Sequence, residues 1–141
     1  MSMLGEKERA IVIEQFQQLE SPVKLIHFTQ SLMCDACPET QRLLEEVASL
    51  SDKITLEVHN YAIEAELAAQ YRVARVPATV IQTEKDFGIR LYGLPSGYEF
   101  TSLLYAILAV SRSATELSEQ SRIQLQSVTT PTHIQVFVTP T

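Results

Sequence analysis

The sequence predicts an α/β fold with a mixed central sheet flanked by helices, on three observations. The apolar run Val23 to Thr29 leads through a short loop into a helical stretch and a second strand, which reads as a parallel βαβ unit. Two closely spaced strands, Ala78 to Gln82 and Ile89 to Tyr92, then read as an antiparallel hairpin. A helix-periodic stretch through Phe100, Leu103, Leu104, Ile107 and Leu108 closes the unit. At 141 residues the chain is one domain long, enough to bury a sizeable core.

The elements are justified in chain order. Val12, Phe16 and Leu19 recur at helical spacing, so Glu6 to Leu19 reads as an extra N-terminal helix that Ser21-Pro22 ends. Val23 to Thr29 is nearly all apolar, as a strand buried on both faces must be. After the loop Gln30 to Met33 and the cysteine Cys34, a helix runs to about Leu50 with Leu43, Val47 and Leu50 on one face. Pro38 suits its first turn, where a missing N–H costs nothing. Ile54 to Val58 alternates with polar residues as a second strand, and Ile63 to Tyr71 is a short helix rich in Ala, Glu and Leu. The turn Glu84-Lys85-Asp86 and Gly88 part the two hairpin strands. Ser96-Gly97-Tyr98-Glu99 has the Ser-x-x-Glu spacing of a capping box at the start of the closing helix. The βαβ half requires a right-handed crossover, and the ββα half adds an antiparallel edge.

Composition narrows the function classes. Hydrophobic residues make up 45% and charged residues 20% of the chain, the profile of a globular protein. A net charge of −6 and a pI near 5.0 argue against nucleic acid, which needs clustered Lys and Arg. No basic amphipathic face suggests a membrane surface. No apolar run reaches the roughly 18 residues of a bilayer span, and the N-terminus lacks a signal-peptide layout. A cytoplasmic location is the expectation. In a reducing compartment, two cysteines separated by two residues are redox-active or metal-binding rather than structural.

The chemistry therefore centres on Cys34-Asp35-Ala36-Cys37, which follows the first strand and opens a helix. Disulfide exchange needs a thiolate attacker and a second thiol close enough to displace the mixed disulfide. The positive end of a helix dipole and its free N–H groups stabilise a thiolate at the first Cys. Cys34 is the expected nucleophile and Cys37, one turn in, the resolving thiol. Asp35 and Ala36 tune the pair, the Asp35 charge opposing thiolate formation. A metal site is the rival, with His27 or His59 as extra ligands. Zinc usually takes four ligands, commonly from two such pairs, whereas His27 and His59 lie on predicted strands and read first as packed or surface imidazoles. His133 is uninformative. Arg72 and Arg75 flank the Val76-Pro77 step and read either as site residues or as solvent-facing charge, and Tyr61, Tyr71 and Tyr92 as packing residues.

Three stretches carry a family resemblance. Cys34-Asp35-Ala36-Cys37 is the first, and Arg75-Val76-Pro77-Ala78-Thr79-Val80-Ile81 resembles a cis-proline loop with its following strand. The most specific, Asp86 to Phe100, is similar to the hairpin and helix start of tandem protein disulfide oxidoreductases, glutaredoxin-like proteins built from two thioredoxin-fold units. The resemblance implies a thioredoxin-like fold, dithiol–disulfide exchange with protein substrates, and no cofactor. It also implies a cis Val76–Pro77 bond packed against the disulfide, with the Val76 backbone free to pair with a substrate peptide. A thioredoxin-reductase-like flavoenzyme is the electron donor of related systems. Met33 stands where thioredoxins usually have Trp, and only the Val76-Pro77 element of a glutathione site is recognisable. A related doubled fold opens the flavoprotein that reduces bacterial peroxiredoxin; its cysteine pair lies in the second unit, so the pair here sets the chain apart from it.

The tail extends beyond one unit. Residues 1–112 form the thioredoxin-like unit, and 113–131 read as a linker helix with a second capping box at Ser113 and Glu116. His133 to Thr141 read as a strand resembling Lys24 to Ser31. The ending Val136 to Thr141 resembles the lead-in to the family's second cysteine motif, so 132–141 reads as the first strand of an absent second unit, or alternatively as an ordinary C-terminal strand. An unpaired edge of this kind favours homo-oligomers through the C-terminal strand. That supports an alternative function, a non-catalytic interaction or assembly module.

Overall fold

The computed structural model describes residues 2–139. The elements run α1 (Glu6–Phe16), β1 (Val23–Thr29), α2 (Cys37–Ser49), β2 (Ile54–Asn60), α3 (Ala65–Gln70), β3 (Ala78–Gln82), β4 (Asp86–Tyr92), α4 (Tyr98–Arg112) and α5 (Glu119–Leu125). The strands form one mixed sheet ordered β2-β1-β3-β4. β1 and β2 are parallel, from Val23 opposite Ile54 to Thr29 opposite Asn60. β3 runs antiparallel to β1, and β4 antiparallel to β3. This is the predicted βαβ–ββα topology and a thioredoxin-like fold.

Strand parity divides the core into two layers. Val23 and Leu25 of β1 and Ile81 of β3 pack with Val12 and Phe16 of α1, Leu43, Leu44 and Val47 of α2, and Leu103, Ile107 and Val110 of α4. The other face carries Ile26 and Phe28, opposite Val80 and Ala78, and is covered by Ala68 of α3 and by Val73. β1 is buried on both faces because it is a central strand with a helix layer on each side. The N-terminal segment is fastened to α2 through Glu46, which accepts from Ser2 Oγ, from the Met3 N–H at 2.7 Å and from Arg9. Burial alone would raise the Glu46 carboxyl, but these donors hold it down at about 2.

Several boundaries differ from the sequence reading. α1 stops at Phe16, because the Gln18 and Leu19 amides bond back three residues, and Leu19 still reaches the core. β2 continues past Val58 to Asn60, where β1 still offers a partner in Thr29. α3 starts at Ala65, since Asn60 Oδ1 holds the Ala62 and Ile63 amides in a turn. β4 begins at Asp86, ahead of Ile89; Gly88 at φ +83° permits the backbone there and its N–H donates to Asp86 Oδ1.

Both predicted capping boxes are corrected. The cap of α4 is Gly97 at φ 60°, with no side-chain bond, so Ser96 lies outside the helix. Ser113 is the left-handed C-cap of α4, and α5 is capped instead by Ser118, whose hydroxyl accepts from the Ser121 N–H. The linker helix is thus only Glu119–Leu125. The strand expected over 132–141 is not formed over 132–139, and Pro140 and Thr141 lie outside the described residues. Ile134, Val136, Phe137 and Val138 are all exposed. A strand needs a neighbouring backbone for its hydrogen bonds, and this segment has none within the described chain.

Candidate active site

The parallel pairing of β1 and β2 brings their C-terminal ends to one edge of the sheet, and the antiparallel β3 starts at that same edge. The loop after β1 carries Cys34, and α2 begins at Cys37. A disulfide joins Cys34 and Cys37, with Cα atoms 5.4 Å apart. Cys37 is 1% exposed whereas Cys34 is half-buried, so the Cys34 sulfur is the one that solvent and a substrate reach.

The helix start beneath the pair is bare of side-chain caps. Ala36 occupies the N-cap, and its carbonyl accepts the Thr40 N–H at 3.0 Å and the Thr40 hydroxyl at 2.7 Å. The Cys37 N–H turns back to the Cys34 carbonyl at 3.3 Å. Pro38 has no N–H to satisfy, and no polar side chain competes with a sulfur for the positive end of the helix. Asp35 is exposed and forms no ion pair among the described residues. Leu32 and Met33, immediately before the pair, are 79% and 98% exposed, and Met33 turns the chain at φ 56°.

Pro77 is buried and its bond with Val76 is cis. Ala78 pairs with Phe28, which puts the proline beside the loop that leads to Cys34. Three groups hold this loop: Tyr61 Oη donates to the Ala74 carbonyl at 3.0 Å, the Ala74 N–H donates to Tyr92 Oη at 3.4 Å, and the Gly93 N–H donates to the Pro77 carbonyl at 2.9 Å. The Val76 backbone N–H and carbonyl have no partner among the described residues. Arg75 lies over the Tyr92 ring, its Cζ 4.2 Å from the centroid.

Two histidines sit near this edge in opposite electrostatic states. His27, fully buried on the α2 face of β1, places Nδ1 3.1 Å from the Ala78 carbonyl and 3.3 Å from Thr79 Oγ1. A carbonyl only accepts, so Nδ1 carries the proton and Nε2 is a buried acceptor without a donor. Desolvation lowers the His27 pKa to about 4, against the smaller opposing effects of the Ala78 bond and Glu45. His59 lies between Glu64, 3.0 Å from Nδ1, and Glu57, 3.3 Å from Nε2, and its ring packs on Phe28. Burial would lower its pKa, but the two carboxylates more than offset that and raise it.

The structure thus brings together Cys34, Asp35, Ala36, Cys37, Val76 and Pro77. His27 and His59 stay apart from the pair in their own hydrogen bonds. Among the described residues no group of three His, Cys, Asp or Glu side chains is placed to hold a metal ion, so the metal alternative gains no further ligands. The sequence reads Tyr61 and Tyr92 only as packing residues, yet their hydroxyls fasten the proline loop. Tyr61 follows directly on β2, so the parallel pairing of β2 with β1 is the signal that could have placed it at this edge.

Fold and pair together define a thioredoxin-fold domain of disulfide-oxidoreductase type with a Cys-x-x-Cys pair. The chain belongs to the thioredoxin domain family, which matches residues 24–104. Among known proteins it is similar to the alkyl hydroperoxide reductase protein AhpF of Staphylococcus epidermidis, 30% identical over 131 residues that cover 89% of this chain and 24% of the relative. A solved structure of AhpF from Enterococcus faecalis matches with a TM-score of 0.81 and 27% identity, over 89% of this chain and 61% of that one. A protein disulfide oxidoreductase from Aeropyrum pernix matches with a TM-score of 0.79 over 91% of this chain and 56% of that one; at 23% identity it shows the fold alone. The chain spans 14% to 24% of the length of the first curated relatives it matches. The sequence reading separates the disulfide oxidoreductases from the peroxiredoxin-reducing flavoprotein; the comparisons bring both beside this chain. No helix among the described residues is long and apolar enough to cross a membrane.

Proposed function

We propose that the chain is a dithiol–disulfide exchange unit for protein disulfides, working through Cys34 and Cys37. The observation that carries this reading is the unequal burial of the pair at an uncapped helix start: the half-buried Cys34 is reachable while Cys37 is enclosed. In the reduced form the Cys34 thiolate attacks a substrate disulfide, one substrate sulfur leaves as thiolate, and a mixed disulfide forms. Cys37 loses its proton, attacks Cys34 Sγ, and releases the second substrate thiolate, leaving the Cys34–Cys37 disulfide. Substrate is oxidant and the pair is reductant, so two electrons pass and the atoms balance. Val76, with its backbone unpaired beside Pro77, forms the groove wall that an extended substrate segment would pair with. Asp35 and Ala36 set the potential of the pair.

The relatives support a setting in a larger redox assembly, in which a flavoenzyme domain or partner returns electrons to the pair. Within that reading 1–112 is the working unit, 113–131 a linker, and 132–141 the start of a second unit. The deciding assay is insulin reduction with dithiothreitol. Cys34→Ser should abolish turnover and Cys37→Ser should trap a mixed disulfide; background turnover in the wild type would sink the catalytic reading. A non-catalytic assembly module is the second reading, favoured by the exposed apolar run Ile134 to Val138. A cytoplasmic location accords with a dithiol that must be kept reduced.

A further inference from the structure

We infer that Arg75 is a specificity residue of this site, selecting disulfide-bearing peptides with a Glu or Asp within two residues of the reactive cysteine; this rests on the exchange reading above. Arg75 directly precedes Val76, whose unpaired backbone faces no partner among the described residues. A strand advances about 3.3 Å per residue, so a peptide paired at Val76 carries its next residues past Arg75. The guanidinium is held in place: Cζ sits 4.2 Å over the Tyr92 ring, and the same tyrosine accepts from the Ala74 N–H one residue upstream. That stacking orders the side chain before any ligand arrives, which lowers the entropy lost on binding.

The charge of Arg75 is also unspent. Arg90 is paired with Asp86 at 2.7 Å, and Arg72 acts on the same Asp86. Arg75 makes no salt bridge or hydrogen bond to the described residues, so its in-plane donors can take a carboxylate two at a time. The start of α2, across the pair, carries the exposed carboxylates Asp35 and Glu39. In a chain of net charge −6, that side repels an acidic peptide, and Arg75 is where such a residue is received.

The test uses two cystine peptides identical except for Glu or Gln beside the cysteine, with uncharged 2-hydroxyethyl disulfide as the reference substrate for the wild type. The quantity read is the Glu-to-Gln ratio of exchange rates within each protein. Wild type should favour Glu by roughly two- to fivefold at low salt, the ratio falling toward one as salt screens the charge. Arg75→Gln should bring it to one, and Arg75→Lys should keep part of it. A wild-type ratio of one, or a ratio unchanged in Arg75→Gln, overturns the inference. Failure of the wild type on 2-hydroxyethyl disulfide would sink the exchange reading separately. The equilibrium trapping of each peptide on Cys37→Ser, with and without Arg75→Gln, still reads the preference in that event.

Discussion

At the scale of single residues, charge beside the sulfur and burial of the histidines govern the measurable behaviour. Asp35 lies between the cysteines and opposes thiolate formation at Cys34. Asp35→Asn should lower the Cys34 thiol pKa by roughly half a unit or less and make the pair more oxidising. A potential that is unchanged or more negative would remove Asp35 as a tuning group. His27 yields a pH dependence of definite sign. Its folded pKa is depressed from 6.5 to about 4, so the unfolded chain binds the proton more readily between those values. The stability His27 confers is present above pH 6.5 and lost as pH falls toward 4, by up to about 3 kcal/mol. His59, raised by Glu64 and Glu57, acts in reverse: its contribution is present below pH 6.5 and lost as pH rises through its folded pKa. Urea unfolding from pH 4 to 8 should show the acid loss in the wild type and a flatter profile in His27→Gln. An equal acid loss in both would assign the effect elsewhere.

At the scale of elements, the site depends on how strands and loops meet. The loop from Ala74 to Pro77 is held at both sides, by the Tyr61 hydroxyl on the β2 side and by Tyr92 and Gly93 on the β4 side. Tyr61→Phe removes one bond to the Ala74 carbonyl and should cost about 1 kcal/mol, with slower exchange on protein disulfides than on 2-hydroxyethyl disulfide. Equal slowing on both would mean that the loop does not act on substrate docking. Gly93 at φ +86° has open space where a Cβ would stand, so the strain of Gly93→Ala lies in the backbone alone. It should cost on the order of 1 kcal/mol, visible as a lower urea midpoint. In α4, Leu103 and Ile107 are fully buried, and Leu103→Ala should cost about 2 to 5 kcal/mol.

At the scale of the whole molecule, the sheet ends in two edges, β2 and β4, while the apolar tail after α5 lies exposed. Because Ile134, Val136, Phe137 and Val138 bury little, removing 132–141 should leave the thermal midpoint within about 2 °C. A larger fall would show that the tail packs on the unit. Solution mass with and without 127–141 separates the two functional readings. A mass that drops to the monomer on truncation supports assembly through the tail, and a monomer in both forms counts against it.

Much of this architecture is legible in the chain itself, because it follows from local periodicity. The all-apolar run of β1 required a central strand, the bounds of β1 and β3 came out as read, and Cys34, Cys37, Val76 and Pro77 stand in motifs that need no long-range information. What the sequence could not decide depended on neighbours distant in the chain. Asn60 joined β2 because Thr29 lies opposite it, and Ser96 and Ser113 lost their capping roles to Gly97 and Ser118, where the backbone path demanded other conformations. The tail, strand-like by composition, formed no strand over 132–139, since strand pairing is a property of two segments and only one is present. Tertiary structure alone also enclosed Cys37 while leaving Cys34 accessible, buried His27 with a lone acceptor, and set Arg75 over Tyr92. Burial and stacking depend on which surfaces the sheet brings together, and residue spacing along one chain does not contain that information.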